Sequence, residues 1–259
     1  MAKETSPAIE EKYRFPHLAH LHLKIKGHGL RSRWRNTVRR TFPSAVRGGN
    51  SGVAAVSENF EKTRDFYRKN HWAYVEDFWG HDFHQKLIEH WPAARFFTPI
   101  RYITKAYDMG MAWSVSIGSD PEFLETFPAY KAAYNFLRSR EFCRRVAEQC
   151  GDGIERKCYQ LLLTRAYWGS NVIPHIDASN RKTNVNLVIF INGSGGPRGG
   201  GLGIWRDNEF ENKIFEPYNL RNACIYYDMS EAFYHGFEPM RFGSFRWTIN
   251  ATYSGADRT

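Results

Sequence analysis

From Cys158 onward the chain breaks into short apolar or aromatic segments, CYQLLLTRAYW, TNVNLVIFIN, GLGIW, KIFEP, ACIYYD, AFYHGFEP and FRWTINATY, separated by Gly, Asn, Pro and Asp. β-Branched and aromatic residues in short runs bounded by turn formers read as strands. No stretch of helical period interrupts them, so the strands must pair with one another rather than through crossover helices. The expected product is a β-sandwich or barrel-like jelly roll.

The preceding half has a different period. SENFEKTRDFYRKN carries the charges and caps of a helix, HWAYVEDFW (71–79) reads as an aromatic strand, and HDFHQKLIEHWP spaces Phe83, Leu87, Ile88 and Trp91 at helical intervals. A longer helical region is predicted from Asp120 to Gly151, with Asp120-Pro121 as N-cap and first helical residue and a break at Pro128. The fold class expected is α+β, rich in β, with the N-terminal helices packed on one face of a C-terminal jelly roll. Residues 1–52 form a basic arm and linker ending at VRGGNSG, and 53–259 form a single domain with helical support in 53–157 and the core in 158–253.

Charge sharpens that division. Residues 1–48 hold 11 Lys/Arg against three acids, so eight of the chain's net +9 belong to the arm and the rest is nearly neutral. Such an arm suits an anionic membrane surface or nucleic acid, and equally a solvated leader. The four cysteines contain no CxxC pair, which points to free thiols rather than a disulfide framework. No apolar run approaches the roughly 18 residues of a membrane span, and MAKETSPAIEEK lacks the apolar core of a signal peptide. A cytoplasmic protein is expected, with a peripheral membrane position open to it through the arm.

Chemistry concentrates in VIPHIDASN, where His175 and Asp177 stand two apart. On a strand, residues i and i+2 share a face, so an imidazole nitrogen and a carboxylate oxygen can meet one ion. An HxD pair alone is weak evidence. Of the ten histidines only His235 lies downstream of the pair, in the strand-like AFYHGFEP. Two histidines and one carboxylate make the facial triad of non-haem Fe(II) oxygenases. Arg246 follows in FRWTINATY with Thr248 two residues on, and a guanidinium fork beside a hydroxyl is a receptor for a carboxylate. An isolated arginine would more often be a cross-sheet ion pair; beside a triad the balance reverses.

Other motifs carry less. GSGGPRGGGLG (193–203) lacks the GK[ST] ending of a phosphate loop and reads as a tight crossing before Trp205. HLAHLHLKIKGH reads as arm or strand rather than a metal site, and His81 and His84 are expected at the surface of their helix. Trp168, Trp205, Tyr227, Phe233 and Tyr234 are candidates to line the barrel mouth, though each would more often be ordinary sheet core.

Taken together, LLLTRAYWGSNVIPHID, VNLVIFIN, GGGLGIW, HGFEP and RWTINATY resemble the catalytic region of Fe(II)- and 2-oxoglutarate-dependent dioxygenases, especially the prolyl 4-hydroxylase-like branch. The resemblance covers about residues 158–253, with a weaker echo in YVEDFWGHDFHQKLIEH. It implies a double-stranded β-helix, with Fe(II) held by His175, Asp177 and His235, and the distal carboxylate of 2-oxoglutarate held by Arg246 with Thr248 as hydroxyl partner. It implies O2 as second cosubstrate, ascorbate as an accessory reductant, and oxidation of a C–H bond with release of succinate and CO2. Many members of this branch place a tyrosine where this chain has Phe190, and Tyr167, Tyr159 or Asn186 are the candidates to replace its hydroxyl as a cosubstrate contact. The nucleic-acid demethylase branch places a second arginine six residues after the first. Here Arg241 precedes Arg246 and none follows until Arg258, so a nucleic-acid substrate is disfavoured. The substrate class stays open between an amino-acid or peptidyl side chain and a small anionic molecule such as a lipid-linked saccharide. The alternative is a non-catalytic jelly roll that displays its basic arm to a membrane or nucleic acid. The sequence does not decide the oligomeric state.

Overall fold

The computed structural model describes residues 53–93, 97–103, 108–116, 121–176, 184–229 and 234–255. The basic arm, the Asp120 cap, Asp177 and Phe233 lie outside the described residues. The first elements among the described residues are α1 (Asn59–Lys62), α2 (Arg64–Asn70), β1 (Trp72–Val75) and α3 (His81–Glu89). Then come β2 (Thr98–Ile103), β3 (Asp108–Ser116), α4 (Pro121–Thr126), α5 (Pro128–Leu137) and α6 (Arg140–Cys150). The rest is strand: β4 (Arg156–Tyr167), β5 (Val172–His175), β6 (Val185–Gly193), β7 (Gly203–Trp205), β8 (Lys213–Phe215), β9 (Ala223–Asp228), β10 (Tyr234–Phe237) and β11 (Phe245–Gly255).

Two antiparallel sheets result. The larger has the order β1-β9-β6-β11-β4-β3-β2 and the smaller β5-β10-β7-β8. Apart from the β7-β8 step, the strands from β4 to β11 alternate between the sheets, so the chain winds around the space that separates them. One apolar core lies between helices and large sheet, where Phe60, Phe78, Trp79, Phe142 and Tyr226 meet Leu187, Ile189, Ile249 and Tyr253. A second fills the gap between sheets, with Val188, Phe190 and Ile225 of the large sheet against Ile204 and Phe237 of the small one. A sheet covered on both faces needs apolar residues at odd and even positions alike, which is why LVIFI (187–191) reads as an unbroken apolar run.

Local chemistry explains the helix ends. Pro128 starts α5 and Ser139 caps α6, its hydroxyl accepting from Phe142 N at 3.1 Å. Gly151 closes α6 with φ +70, and the Arg68 side chain donates to Glu148 O at 2.8 Å, satisfying a carbonyl of the last turn. No helix among the described residues is long and apolar enough to cross a membrane. All four cysteines are free thiols.

Three expectations change. The strand predicted over 71–79 stops at Val75, because Asp77 takes φ +50 and turns the chain; Asn222 then binds both Trp79 N and Trp79 O at 2.9 Å. The β2–β3 hairpin, unforeseen from the sequence, extends the large sheet beyond β4. His84 is buried, not at the surface. Asn192 pairs with Trp247 and Phe190 with Thr248, so Ile191 is an extra residue in β6, and His84 Nε2 sits 2.7 Å from its carbonyl oxygen. The bulge supplies an acceptor that the ladder with β11 leaves out, and the imidazole takes it.

Candidate active site

The small sheet brings the two histidines together. β10 pairs with β5 so that His235 stands opposite His175, and their ring centroids are 4.4 Å apart. Both are buried. The Ile173 carbonyl lies 2.9 Å from His175 Nδ1; a carbonyl only accepts, so Nδ1 carries the proton and Nε2 the lone pair a metal needs. Gly236 permits the close approach. A Cβ there would sit 2.4 Å from Val172 O and 2.9 Å from Pro174 N, both backbone atoms. Asp177, the expected third ligand, lies outside the described residues, and among the described residues no cluster of three or more His, Cys, Asp or Glu is positioned to hold a metal. The donor set that is described, two buried imidazoles side by side, fits a borderline-soft divalent ion such as Fe(II).

Arg246 lies on the face of β11 turned toward the small sheet, with its guanidinium 4.1 Å from the Phe237 ring and 6.0 Å from that of Phe190. Nη1 donates to Gly200 O at 2.6 Å, while buried Nε has no partner among the described residues. No carboxylate among the described residues pairs with it. Burial pushes its pKa down to about 9, with the Tyr227 oxygen opposing the shift. An enclosed guanidinium without a counter-ion is costly, on the order of several kcal/mol, and an incoming carboxylate offsets that cost. The Gly-rich loop thus acquires a role, since Gly200 at φ +93 turns its carbonyl onto the arginine while Met240 occupies the space a Cβ would take.

Thr248, two residues along, is fully buried on the same face, and its hydroxyl bonds that of Thr164 on β4. Asn186 on β6 also faces the space between sheets; its Nδ2 donates to Tyr227 Oη at 2.7 Å, and its Oδ1 accepts from Thr252 at 3.3 Å. The Tyr227 ring in turn packs on His235, with centroids 4.4 Å apart. Tyr167 is not brought to this group. It alternates with Ala166, which belongs to the core between the sheets, and its ring lies under the Arg165 guanidinium at 4.4 Å on the opposite face of the large sheet. Tyr159 is exposed. Of the other mouth-lining candidates, Trp168 is exposed against Phe242, and Trp205 packs on Phe210 beneath Lys213. Tyr234 lies opposite Trp205 in the ladder, one position from His235, and so on the other face of the small sheet.

Thr164, Phe237 and Gly200 escaped notice in the sequence. Only Thr164 left a signal, as a lone hydroxyl in the apolar run LLLT.

No protein-family model matches the sequence, and no curated protein does. Solved structures do match in fold. A 2-oxoglutarate-Fe(II) oxygenase family oxidoreductase from Burkholderia pseudomallei superposes with TM-score 0.57 at 16% identity, over 79% of this chain and 96% of that one. A Pseudomonas putida prolyl-4-hydroxylase gives 0.56 at 17%, over 76% and 99%. A Trichoplax adhaerens prolyl hydroxylase, solved with a peptide fragment of the hypoxia inducible factor oxygen degradation domain, gives 0.54 at 15%, over 76% and 89%. The chain has the fold of 2-oxoglutarate-Fe(II) oxygenases, including prolyl hydroxylases.

Proposed function

We propose that this chain is an Fe(II)- and 2-oxoglutarate-dependent oxygenase that hydroxylates an unactivated C–H bond of an organic substrate. The observation that carries the proposal is the pairing of His175 with His235 in the same inter-sheet space as Arg246, a buried cation without a carboxylate partner among the described residues. The fold likeness to oxygenases supports it, as does the winding of the strands between two sheets in the manner of a jelly roll.

In this reading His175, His235 and Asp177 hold the metal, and Arg246 with Thr248 holds the distal carboxylate of the cosubstrate. Fe(II), 2-oxoglutarate and O2 together supply, when bound, the oxidising power to break the C–H bond, with succinate and CO2 as by-products. The protein contributes position and dryness. The hydrogen bond at His175 Nδ1 fixes the tautomer that puts the lone pair on Nε2, the atom that would ligate. Phe237 and Phe190 flank the guanidinium and keep water from its faces, so its in-plane N–H groups are spent on the ligand and on Gly200 O. Phe190 stands where the related branch often has a tyrosine, which leaves Thr248, positioned by Thr164, as the hydroxyl at the carboxylate end.

The Trichoplax enzyme's peptide complex favours an amino-acid or peptidyl side chain as substrate. The basic arm is proposed to hold the protein at an anionic membrane surface, within a cytoplasmic location. The test of the core proposal is conversion of 2-oxoglutarate to succinate by the purified, Fe(II)-loaded chain. Wild type is expected to form succinate slowly even without substrate, and His175→Ala to lose all of it. Equal rates in the two would refute the assignment.

A further inference from the structure

The face of β11 that looks between the sheets presents Arg246, Thr248, Asn250 and Thr252 in succession, since alternate residues of a strand share a side. Three of the four have partners. Arg246 donates to Gly200 O, Thr248 is bonded to Thr164, and Thr252 reaches both Asn186 Oδ1 at 3.3 Å and Gln160 Oε1 at 3.5 Å. Asn250 differs. Its Oδ1 is buried and has no hydrogen-bond partner among the described residues, and its cross-strand neighbours are the aliphatic Leu162 on β4 and Val188 on β6. Buried polar atoms in folded proteins are nearly always bonded, so this oxygen, like Arg246 Nε at the start of the row, calls for a partner that the described residues do not supply.

Its depth says which partner. At about 3.3 Å per residue, Asn250 lies about 13 Å along the strand from Arg246 and Thr248 about 7 Å. 2-Oxoglutarate, with five carbons joined by bonds of about 1.5 Å, spans roughly 5 Å and ends near the level of Thr248. Beyond Asn250 a hydrogen-bonded row of neutral side chains, Gln160, Thr252, Asn186 and Tyr227, crosses four adjacent strands. At that row the face begins to reach solvent, because Gln160 is exposed while Thr248 is 0% exposed. Asn250 therefore lies, on the inner face of β11, between the level a cosubstrate on Arg246 would reach and the solvent-accessible end of the face.

We infer that Asn250 is a specificity-determining residue that reads the prime substrate through a hydrogen-bond donor, the N–H of an amide or the O–H of an alcohol. The unsatisfied atom is an acceptor, so a carboxylate or a fully ionised phosphate, which has no donor, does not complete it. The carboxamide's own N–H groups then meet an acceptor on the same substrate group, and a substrate analogue lacking that group leaves the oxygen buried and unpaired. The inference rests on the oxygenase reading and narrows its substrate class away from purely anionic molecules.

The test compares the full-length wild type with Asn250→Leu by three measurements. First, the ligand-free melting temperature of Asn250→Leu is expected to equal or exceed that of wild type, because an unpaired buried polar group is removed. A fall of more than about 4 °C, the scale of a 1 kcal/mol loss in a chain of this size, would mean a structural partner and overturn the inference. Second, 2-oxoglutarate affinity measured calorimetrically with Mn(II) is expected to agree within twofold; a tenfold loss would place Asn250 on the cosubstrate instead. Third, the side-chain NH2 resonances of Asn250, identified by their absence from the variant, are expected to shift with N-methylacetamide or ethylene glycol and not with acetate. A response to acetate alone, or to none of the probes, rejects the assignment. Failure of the wild type itself to bind 2-oxoglutarate would count against the oxygenase reading, and is seen separately from all three differences.

Discussion

At the scale of single residues, two buried basic groups, Arg246 and His84, behave differently. Arg246 is a cation without a carboxylate partner among the described residues, whereas His84 is an imidazole whose Nε2 already meets a carbonyl. Burial lowers the His84 pKa, and its contact with Ile191 O only partly offsets this. A base with a depressed pKa in the fold contributes stability that is present above its unfolded pKa of about 6.5 and is lost as pH falls through the folded value. Urea unfolding at pH 7.5 and 5.5 is expected to show a larger loss for wild type than for His84→Gln, which keeps a donor without the titration. Equal losses would mean His84 is not held neutral. Spacing made the shared face of Arg246 and Thr248 legible, because a period of two fixes which residues share a side, whereas Asp177 lies outside the described residues. The same period left Tyr167 misplaced: both faces of the large sheet are buried, so apolar character along LLLTRAY does not say which parity looks between the sheets.

At the scale of elements, the strands from β4 to β11 were readable since Gly, Asn, Pro and Asp mark their ends. The β2–β3 hairpin was not, because TKAY between its strands contains no turn former. The bulge at Ile191 was equally silent, as an extra residue in an unbroken apolar run leaves no pattern. Pairing of β10 with β5 depends on Gly236 more than on any side chain. Gly236→Ala must push backbone from backbone and part His235 from His175. Its affinity for Co(II), followed by visible absorption, is expected to fall about tenfold or more, the range seen when the surroundings of a metal ligand are disturbed. Unchanged affinity would show that the strands do not need this approach to build the site.

At the scale of the whole molecule, helices cover one face of the large sheet and the small sheet covers the other, so His175, His235 and Arg246 are all carried on strands. The surplus of positive charge lies in residues 1–48, apart from this scaffold in sequence. Deleting them is expected to leave succinate formation within twofold while abolishing salt-sensitive retention on anionic vesicles. Retention unchanged by the deletion would remove the arm from the account. The central claim, that two histidines and an arginine assemble one metal and cosubstrate site, is tested most directly by anaerobic addition of Fe(II) and 2-oxoglutarate. The account predicts a visible charge-transfer band in wild type that requires both additions, is absent in His175→Ala, and in Arg246→Leu needs roughly 10- to 100-fold more 2-oxoglutarate, the worth of a hydrogen bond to a charged group. No band in wild type, or the same band at the same concentrations in all three proteins, would contradict it.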